Sequence, residues 1–145
     1  MNQLIQTTDH GIYCPAGDFY VDPWRPVPRA VVTHAHADHA RPGAEHYLTA
    51  AGGLPVLRLR LGEEAHIETL AYGAKLKLGR ATLSLHPAGH VLGSSQVRIE
   101  SAGQVCVVSG DYKLESDSTC ISFEPVPCDT FVTESTFGLP VYRWP

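Results

Sequence analysis

The chain has 145 residues, of which 43% are apolar, 8% aromatic and 18% charged, a balance typical of a globular domain rather than a disordered or fibrous chain. Eleven Lys and Arg against fifteen Asp and Glu give a formal net charge of −4, which excludes nucleic-acid binding by bulk positive charge. A polyanionic partner therefore needs a local positive site. The sequence has neither a membrane-length apolar stretch nor a secretory signal pattern, and we predict a cytoplasmic protein without a membrane partner.

Short runs rich in β-branched and apolar residues recur along the chain, and each run predicts a strand. These runs are 11–14, 19–22, 29–33, 75–78, 82–86, 96–100, 105–109 and 130–133. Two further stretches, 43–51 and 55–61, favour helices, and Pro55 suits a first helical turn. Arginines and leucines also alternate in 55–61, so a half-buried strand is an alternative there. Many strands and few helices predict a layered α/β or α+β fold with its functional site on loops.

The segment 34–39 reads His-Ala-His-Ala-Asp-His and directly follows a short apolar run that predicts a strand. Alternate residues of an extended segment point the same way, so His34 and His36 can offer two imidazoles to one metal ion. Asp38 and His39, where the chain turns away from the strand end, can face a second ion. Nitrogen and oxygen ligands without thiolate suit zinc first, with manganese or iron as alternatives.

Two later motifs supply ligands that such a site still needs. His90 stands in a glycine-flanked turn after a predicted strand, where the backbone can approach a ligand closely. Asp111 follows the apolar strand predicted at 105–109, a position from which one carboxylate can bridge two ions. Together with the histidine segment, these motifs favour a site for two metal ions.

This series of motifs resembles the metallo-β-lactamase superfamily, in which H-x-H-x-D-H is followed by a glycine–histidine turn and a strand-end aspartate. Three segments resemble the nucleic-acid-processing β-CASP branch of that superfamily: 88–94, 109–113 and 133–138. The flanking segments resemble the bacterial ligase-associated DNA exonucleases, which are also described as messenger-RNA 3′-end processing factors. These flanking segments are 13–19, 22–26 and 137–144. The resemblance implies an αββα sandwich with residues 1–145 as its N-terminal half. The β-CASP cap and the second half of the sandwich are then expected later than Pro145.

By position, the resemblance implies that six residues of this chain bind two zinc ions. The first ion is bound by His34, His36 and His90, the second by Asp38 and His39, and both are bridged by Asp111. The last zinc ligand of the family is expected later than Pro145.

Two further acidic residues receive roles from the same resemblance. Asp22 matches an early aspartate that braces the histidine segment, and Glu134 matches an acidic residue that supports a histidine general acid. That histidine is also expected later in the chain. The residues expected to take part in catalysis are Asp38, Asp111 and Glu134.

The function implied by the resemblance is a zinc-dependent phosphodiesterase, an exonuclease acting on nucleic-acid ends, with DNA favoured over RNA. A role in DNA repair beside an ATP-dependent ligase is implied as well, with that ligase as a candidate partner. Two alternatives stay open. One is a hydrolase of the same fold that acts on a small ester or thioester, which has no need of the Glu134 motif. The other is an inactive, truncated scaffold.

Overall fold

A computed structural model describes residues 3–143 of the chain. Within this range the strands are β1 Gln6–Thr8, β2 Gly11–Cys14, β3 Phe19–Val21, β4 Arg29–Val31, β5 His46–Ala50, β6 Ile67–Leu70, β7 Lys75–Leu78, β8 Ala81–Pro87, β9 Ser95–Ser101, β10 Gln104–Val108 and β11 Thr130–Val132. The helix α1 spans Leu54–Leu61 and follows a 3₁₀ turn at Ala51–Gly53. Among the residues described, no helix has the length and apolar character needed to cross a membrane. The outer bounds of the predicted domain, 1–145, and the last residue of the segment 137–144 lie outside this range.

The strands form two sheets, one of six strands and one of five. The first has the order β1-β2-β3-β4-β5-β6, with antiparallel pairing as far as β3 and parallel pairing from β3 to β6. The second has the order β11-β10-β9-β8-β7 and is antiparallel except for the pair β10–β11. The candidate site residues follow the carboxyl ends of strands from both sheets, so the site depends on how the sheets pack.

The main hydrophobic core lies between the two sheets. Val31 and Leu48 of the first sheet pack with Leu83, Leu85 and Ile99 of the second, and all five are at most 5% exposed. Burial stabilises each such side chain by about 1.5–3 kcal/mol relative to exposure. Because successive residues of a strand point to opposite faces, the neighbours of Val31 belong to a second apolar cluster on the other side of the first sheet. That cluster comprises Val27, Ala30, Val32, Ala35, Ala40, Tyr47 and Leu57, the last of which belongs to α1.

Most of the predicted elements are present. All eight strands predicted from the sequence occur, with ends within two residues of those predicted. The helix α1 confirms the helical prediction for 55–61, with Pro55 in its first turn, and the strand alternative there is wrong. The predicted layered architecture with many strands and few helices is therefore confirmed.

The helix predicted for 43–51 is wrong, because this stretch contains the strand β5. β5 lies inside the first sheet, paired in parallel with β4 and β6, and its residues from Tyr47 to Ala50 are all buried. A strand covered on both faces has a continuous apolar run without the two-residue alternation that marks an exposed sheet. The strands β1 and β6 were not predicted either, because they are short, partly exposed edge strands with few apolar residues.

Candidate metal centre

The candidate residues meet at one end of the two sheets. The histidine segment leaves β4 after Val31, His90 lies in the turn after β8, and Asp111 lies just after β10. The segment is tied to the second sheet at Thr33, whose carbonyl oxygen accepts hydrogen bonds from the backbone N–H and the hydroxyl of Ser95, at 2.8 and 3.1 Å. The site is therefore held by both sheets.

Four side chains converge on one point and form the first ligand group: His34, His36, His90 and Asp111. One ligand atom from each lies within 4.8 Å of the others. His36 Nδ1 is 3.0 Å from His34 Nε2 and 3.3 Å from His90 Nε2. Asp111 Oδ2 is 3.9 Å from His34 Nε2 and 3.7 Å from His90 Nε2. Ligands about 2.0–2.1 Å from a tetrahedral zinc ion lie about 3.3 Å apart, so these residues fit a single ion of that kind.

A second set of candidate ligands, called the second ligand group below, consists of Asp38, His39 and the other oxygen of Asp111. His39 Nε2 is 3.3 Å from Asp111 Oδ1 and 3.5 Å from Asp38 Oδ2. The two oxygens of Asp111 thus face different groups, which is the arrangement a bridging carboxylate requires. The Asp38 side chain is 72% exposed, so this group is the more open of the two.

Asp22 contacts both the His39 side chain and the backbone of Thr33, the residue before His34. Its Oδ1 accepts a hydrogen bond from the Thr33 backbone N–H at 2.8 Å, and its Oδ2 accepts one from the Thr33 hydroxyl at 2.6 Å. The same Oδ2 is 2.7 Å from His39 Nδ1. Asp22 therefore contacts the chain at Thr33, directly before the histidine segment, and at His39 within it.

Burial and neighbouring charges set the protonation of the histidines. Burial, with the nearby imidazoles of His39, His36 and His90, lowers the pKa of His34 to about 2. Burial also lowers the pKa of His90, although Asp111 opposes the shift. Burial lowers the pKa of His39 too, but the hydrogen bond and charge of Asp22 outweigh it and the net pKa is raised. Two imidazoles of the first group are thus neutral near pH 7, the form in which histidine binds a metal.

Glu134 lies at the edge of the second ligand group. It lines a cavity of about 230 Å³ together with Asp38, His39 and Asp111. Its Oε1 accepts a hydrogen bond from the backbone N–H of Tyr112 at 3.0 Å, and its Oε2 accepts one from the hydroxyl of Thr136 at 2.6 Å. Burial raises its pKa, but these hydrogen bonds outweigh burial and lower it, so Glu134 is a carboxylate near neutral pH.

Comparison with known proteins gives two kinds of relative, although no family model matches the chain. A protein of Opitutus terrae named "Probable DNA ligase" is 32% identical over 138 residues, which cover 94% of this chain and 14% of that protein. "Endoribonuclease YSH1" of Candida glabrata is 39% identical over 79 residues, which cover 53% of this chain and 10% of that protein. The chain thus spans only a small part of the length of these curated relatives.

Among solved structures, YhfI of Bacillus subtilis, described as a metallo-β-lactamase fold protein, matches with a TM-score of 0.51 and 15% identity. The match covers 74% of this chain and 55% of YhfI. This chain has a metallo-β-lactamase fold. The resemblance to that superfamily and its β-CASP branch, expected from the motifs, is confirmed, and so is the predicted fold class.

Three contacts of this metallo-β-lactamase fold support the site without any signal in the sequence. The hydroxyl of Thr33 lies between Asp22 and the Nδ1 of His34, at 3.1 Å from the latter. The guanidinium of Arg60 on α1 donates a hydrogen bond to the carbonyl oxygen of Ala35. The turn that carries His90 packs directly on the 3₁₀ turn before α1. All three depend on tertiary packing, which no local pattern reveals.

Proposed function

We propose that this chain forms the metal-binding part of a zinc-dependent phosphodiesterase that cleaves nucleic acids at their ends, with DNA preferred over RNA. The observation that carries the proposal is the convergence of three imidazoles and one carboxylate, with ligand atoms within 4.8 Å, in a metallo-β-lactamase fold. Relatives named as a DNA ligase and an endoribonuclease support a metal-dependent hydrolase that acts on nucleic acids. Work in DNA repair beside an ATP-dependent ligase is part of the same proposal.

The proposal assigns two zinc ions, or manganese or iron, to the two ligand groups. His34, His36 and His90 would hold the first, Asp38 and His39 the second, and Asp111 would contact both. When bound, such ions act as Lewis acids toward a phosphate and make a water molecule more acidic. Such ions would also supply the local positive charge that nucleic-acid binding needs, because divalent cations can attract a phosphate backbone to a protein with a formal net charge of −4.

The acidic residues of the chain have separate roles in this proposal. Asp38, with a side chain that is 72% exposed, can accept a proton from an attacking water molecule. Glu134 is a carboxylate near neutral pH, so it suits the orientation of a proton donor rather than proton donation itself. In the proposed enzyme, that donor is a histidine outside residues 1–145. These residues then form the N-terminal part of a larger metallo-β-lactamase domain that also carries a β-CASP cap.

Cleavage of end-labelled oligonucleotides tests the proposal. The assay uses the 145-residue chain and the longest natural reading frame that contains it, with DNA and RNA substrates labelled at either end. Asp111→Ala should lower the rate more than about 100-fold, a larger loss than the 10–100-fold typical of residues one layer removed from a metal. Asp9→Ala, which changes an exposed aspartate outside both ligand groups, is the matched control.

Three results would contradict the proposal. Unchanged nuclease turnover in Asp111→Ala would separate cleavage from this site. Hydrolysis of small esters or thioesters without any nuclease activity would favour a metabolic hydrolase of the same fold. Metal binding by the longer reading frame without hydrolysis of any substrate would favour a binding scaffold.

A further inference from the structure

A chain of hydrogen bonds runs from Asp22 through Thr33 to His34, outside the set of ligand atoms. Asp22 Oδ2 is 2.6 Å from the Thr33 hydroxyl oxygen, and that oxygen is 3.1 Å from His34 Nδ1. Thr33 is 1% exposed and His34 is 2% exposed, so water does not compete for these contacts. The same Asp22 oxygen is 2.7 Å from His39 Nδ1.

The direction of each hydrogen bond follows from the number of protons available. A carboxylate only accepts hydrogen bonds, so the Thr33 hydroxyl must use its single proton on Asp22. The hydroxyl oxygen then has only lone pairs left, and His34 Nδ1 must be the donor in the remaining contact. By the same reasoning, His39 Nδ1 donates directly to Asp22. Both imidazoles therefore carry a proton on Nδ1.

This proton arrangement leaves Nε2 of both histidines unprotonated, so that His34 Nε2 can accept a hydrogen bond from His36 Nδ1 at 3.0 Å in the metal-free chain, and both Nε2 atoms lie near Asp111. His34 Nε2 lies 3.9 Å from Asp111 Oδ2, and His39 Nε2 lies 3.3 Å from Asp111 Oδ1. Metal-binding histidines generally donate their second ring N–H to a carboxylate or carbonyl, which fixes both tautomer and ring orientation. Here one histidine of each ligand group is oriented from the same carboxylate.

We propose that the Thr33 hydroxyl is a positioning group that relays the Asp22 carboxylate to His34, so that Asp22 sets the tautomer of one histidine in each ligand group. This inference rests on the proposed metal-binding function. Asp22 contacts His39 directly and His34 only through Thr33. Removal of the hydroxyl should therefore affect the first ligand group and spare the second.

The packing around Thr33 fixes its hydroxyl in the relay position. A Cβ on Gly110 would lie 2.7 Å from both Cβ and Oγ1 of Thr33, so the absence of a side chain at Gly110 gives Thr33 the space it occupies. The backbone of Thr33 is fixed as well, since its N–H donates to Asp22 and its carbonyl accepts from Ser95. Because the backbone of Thr33 is hydrogen-bonded and its side chain packs against Gly110, the hydroxyl is held between Asp22 and His34.

The relay is tested by nuclear magnetic resonance on the isotope-labelled, metal-free chain. Long-range proton–nitrogen correlations report which ring nitrogen of each histidine carries a proton. In the native chain we expect the Nδ1–H tautomer for His34. Thr33→Val, which keeps the branched shape and removes the hydroxyl, should shift His34 toward the Nε2–H tautomer. Thr33→Ser, which keeps the hydroxyl, should preserve the native spectrum, and the Nδ1 proton of His39 should persist in both variants as an internal control.

Zinc titration of the same three proteins gives the second readout. Thr33→Val should weaken binding at the first ligand group about 10–100-fold, and Thr33→Ser should stay close to the native affinity. An Nε2–H tautomer for His34 in the native chain would overturn the relay, whether or not either variant folds. Equal zinc affinity in native and Thr33→Val protein would also overturn it, as would equal losses in Thr33→Ser and Thr33→Val. The expected tautomers in this chain, together with absence of zinc binding by the longest natural reading frame that contains it, would support the relay and contradict the proposed function, so the two can fail separately.

Discussion

The two ligand groups are built in different ways. The first draws on three separate chain segments and both sheets, and its His34 side chain is fully buried. The second takes Asp38 and His39 from one short turn, and the Asp38 side chain is 72% exposed. A group assembled from distant, packed segments has its geometry fixed before any ligand arrives, whereas a group on one turn depends on what holds that turn. Packing of the two sheets therefore holds the residues of the first group in place, whereas contacts with Asp22 and Asp111 hold those of the second.

The pKa values of the histidines also differ between the buried first group and the more exposed second group. In the first group, burial lowers the pKa of His34 to about 2 and also lowers the pKa of His90. In the second, the hydrogen bond and charge of Asp22 outweigh burial and raise the pKa of His39. The first group therefore combines neutral imidazoles with one carboxylate, and the second places a more basic imidazole among several carboxylates. Asp111 is the residue that the two groups share.

The largest expected effect comes from the shared carboxylate. Asp111→Asn should weaken metal binding at both groups, because it removes a charged ligand from each. The loss should exceed the about 10–100-fold that is typical when a residue hydrogen-bonded to a metal ligand is changed. Asp38→Asn, the matched change, should weaken only the second group. Elemental analysis of both variants after dialysis against zinc measures the difference. Equal metal loss in the two variants would show that the two groups are not independent and would break the comparison.

The next effect concerns the turn that brings His90 into the first group. Gly93 has φ of 75°, and a Cβ there would lie 2.2 Å from the Cα and N of Gly53. Gly73 has the same φ of 75°, but a Cβ there would meet nothing within 4 Å. Gly73→Ala should therefore cost only the strain of the left-handed conformation, about 1–2 kcal/mol. Gly93→Ala should add about 1–3 kcal/mol, because the backbones of two turns must separate.

Urea unfolding of the two glycine variants measures these free energies, and zinc titration measures the consequence for the site. The hydroxyl of Ser94 accepts a hydrogen bond from the backbone N–H of His90 at 3.0 Å, so displacement of Gly93 should reach His90. We expect Gly93→Ala to weaken the first ligand group and Gly73→Ala to leave it unchanged. Similar losses of stability in both variants would mean that the contact with Gly53 adds nothing beyond the strain.

Several strands of the second sheet could be predicted from sequence because apolar and polar residues alternate along them. In β8, for example, Leu83 and Leu85 point into the core on either side of Ser84. β5 could not be recognised in this way, since its apolar residues are buried on both faces. The edge strands β1 and β6 offer too few apolar residues for any periodic signal. Burial between neighbouring elements explains β5, and pairing with an adjacent strand explains β1 and β6; the local sequence displays neither.

The candidate site divides along similar lines. His34 and His36 could be placed together because two-residue spacing in an extended segment puts both on one face. The convergence of His90 and Asp111 on these histidines depends on the packing of two sheets. Their positions in a glycine-flanked turn and at a strand end made both of them candidate ligands, and the family resemblance implied which ion each one binds. The roles of Thr33 and Arg60 had no sequence signal at all, because a hydroxyl and a guanidinium of these kinds occur throughout the chain. Their positions are visible only once the strands and α1 are assembled.

The smallest expected effect concerns the contact between α1 and the first group. Arg60 donates a hydrogen bond to the carbonyl oxygen of Ala35, which lies between His34 and His36 in the chain. Arg58, on the same helix, instead donates to the carbonyl oxygens of Glu63 and Ala65, which contact neither ligand group. A net hydrogen bond contributes about 0.5–1.5 kcal/mol, or about two- to tenfold in affinity.

Arg60→Met should therefore weaken zinc binding at the first group by about two- to tenfold. Arg58→Met, which removes the same charge from the same helix, should leave that affinity unchanged. The pair distinguishes support of the loop from general electrostatics, because loss of a positive charge alone would alter cation binding equally in both variants. An equal change in the two would assign the effect to charge. A loss confined to Arg60→Met would show that the geometry of the first group is held from α1 as well as from the core.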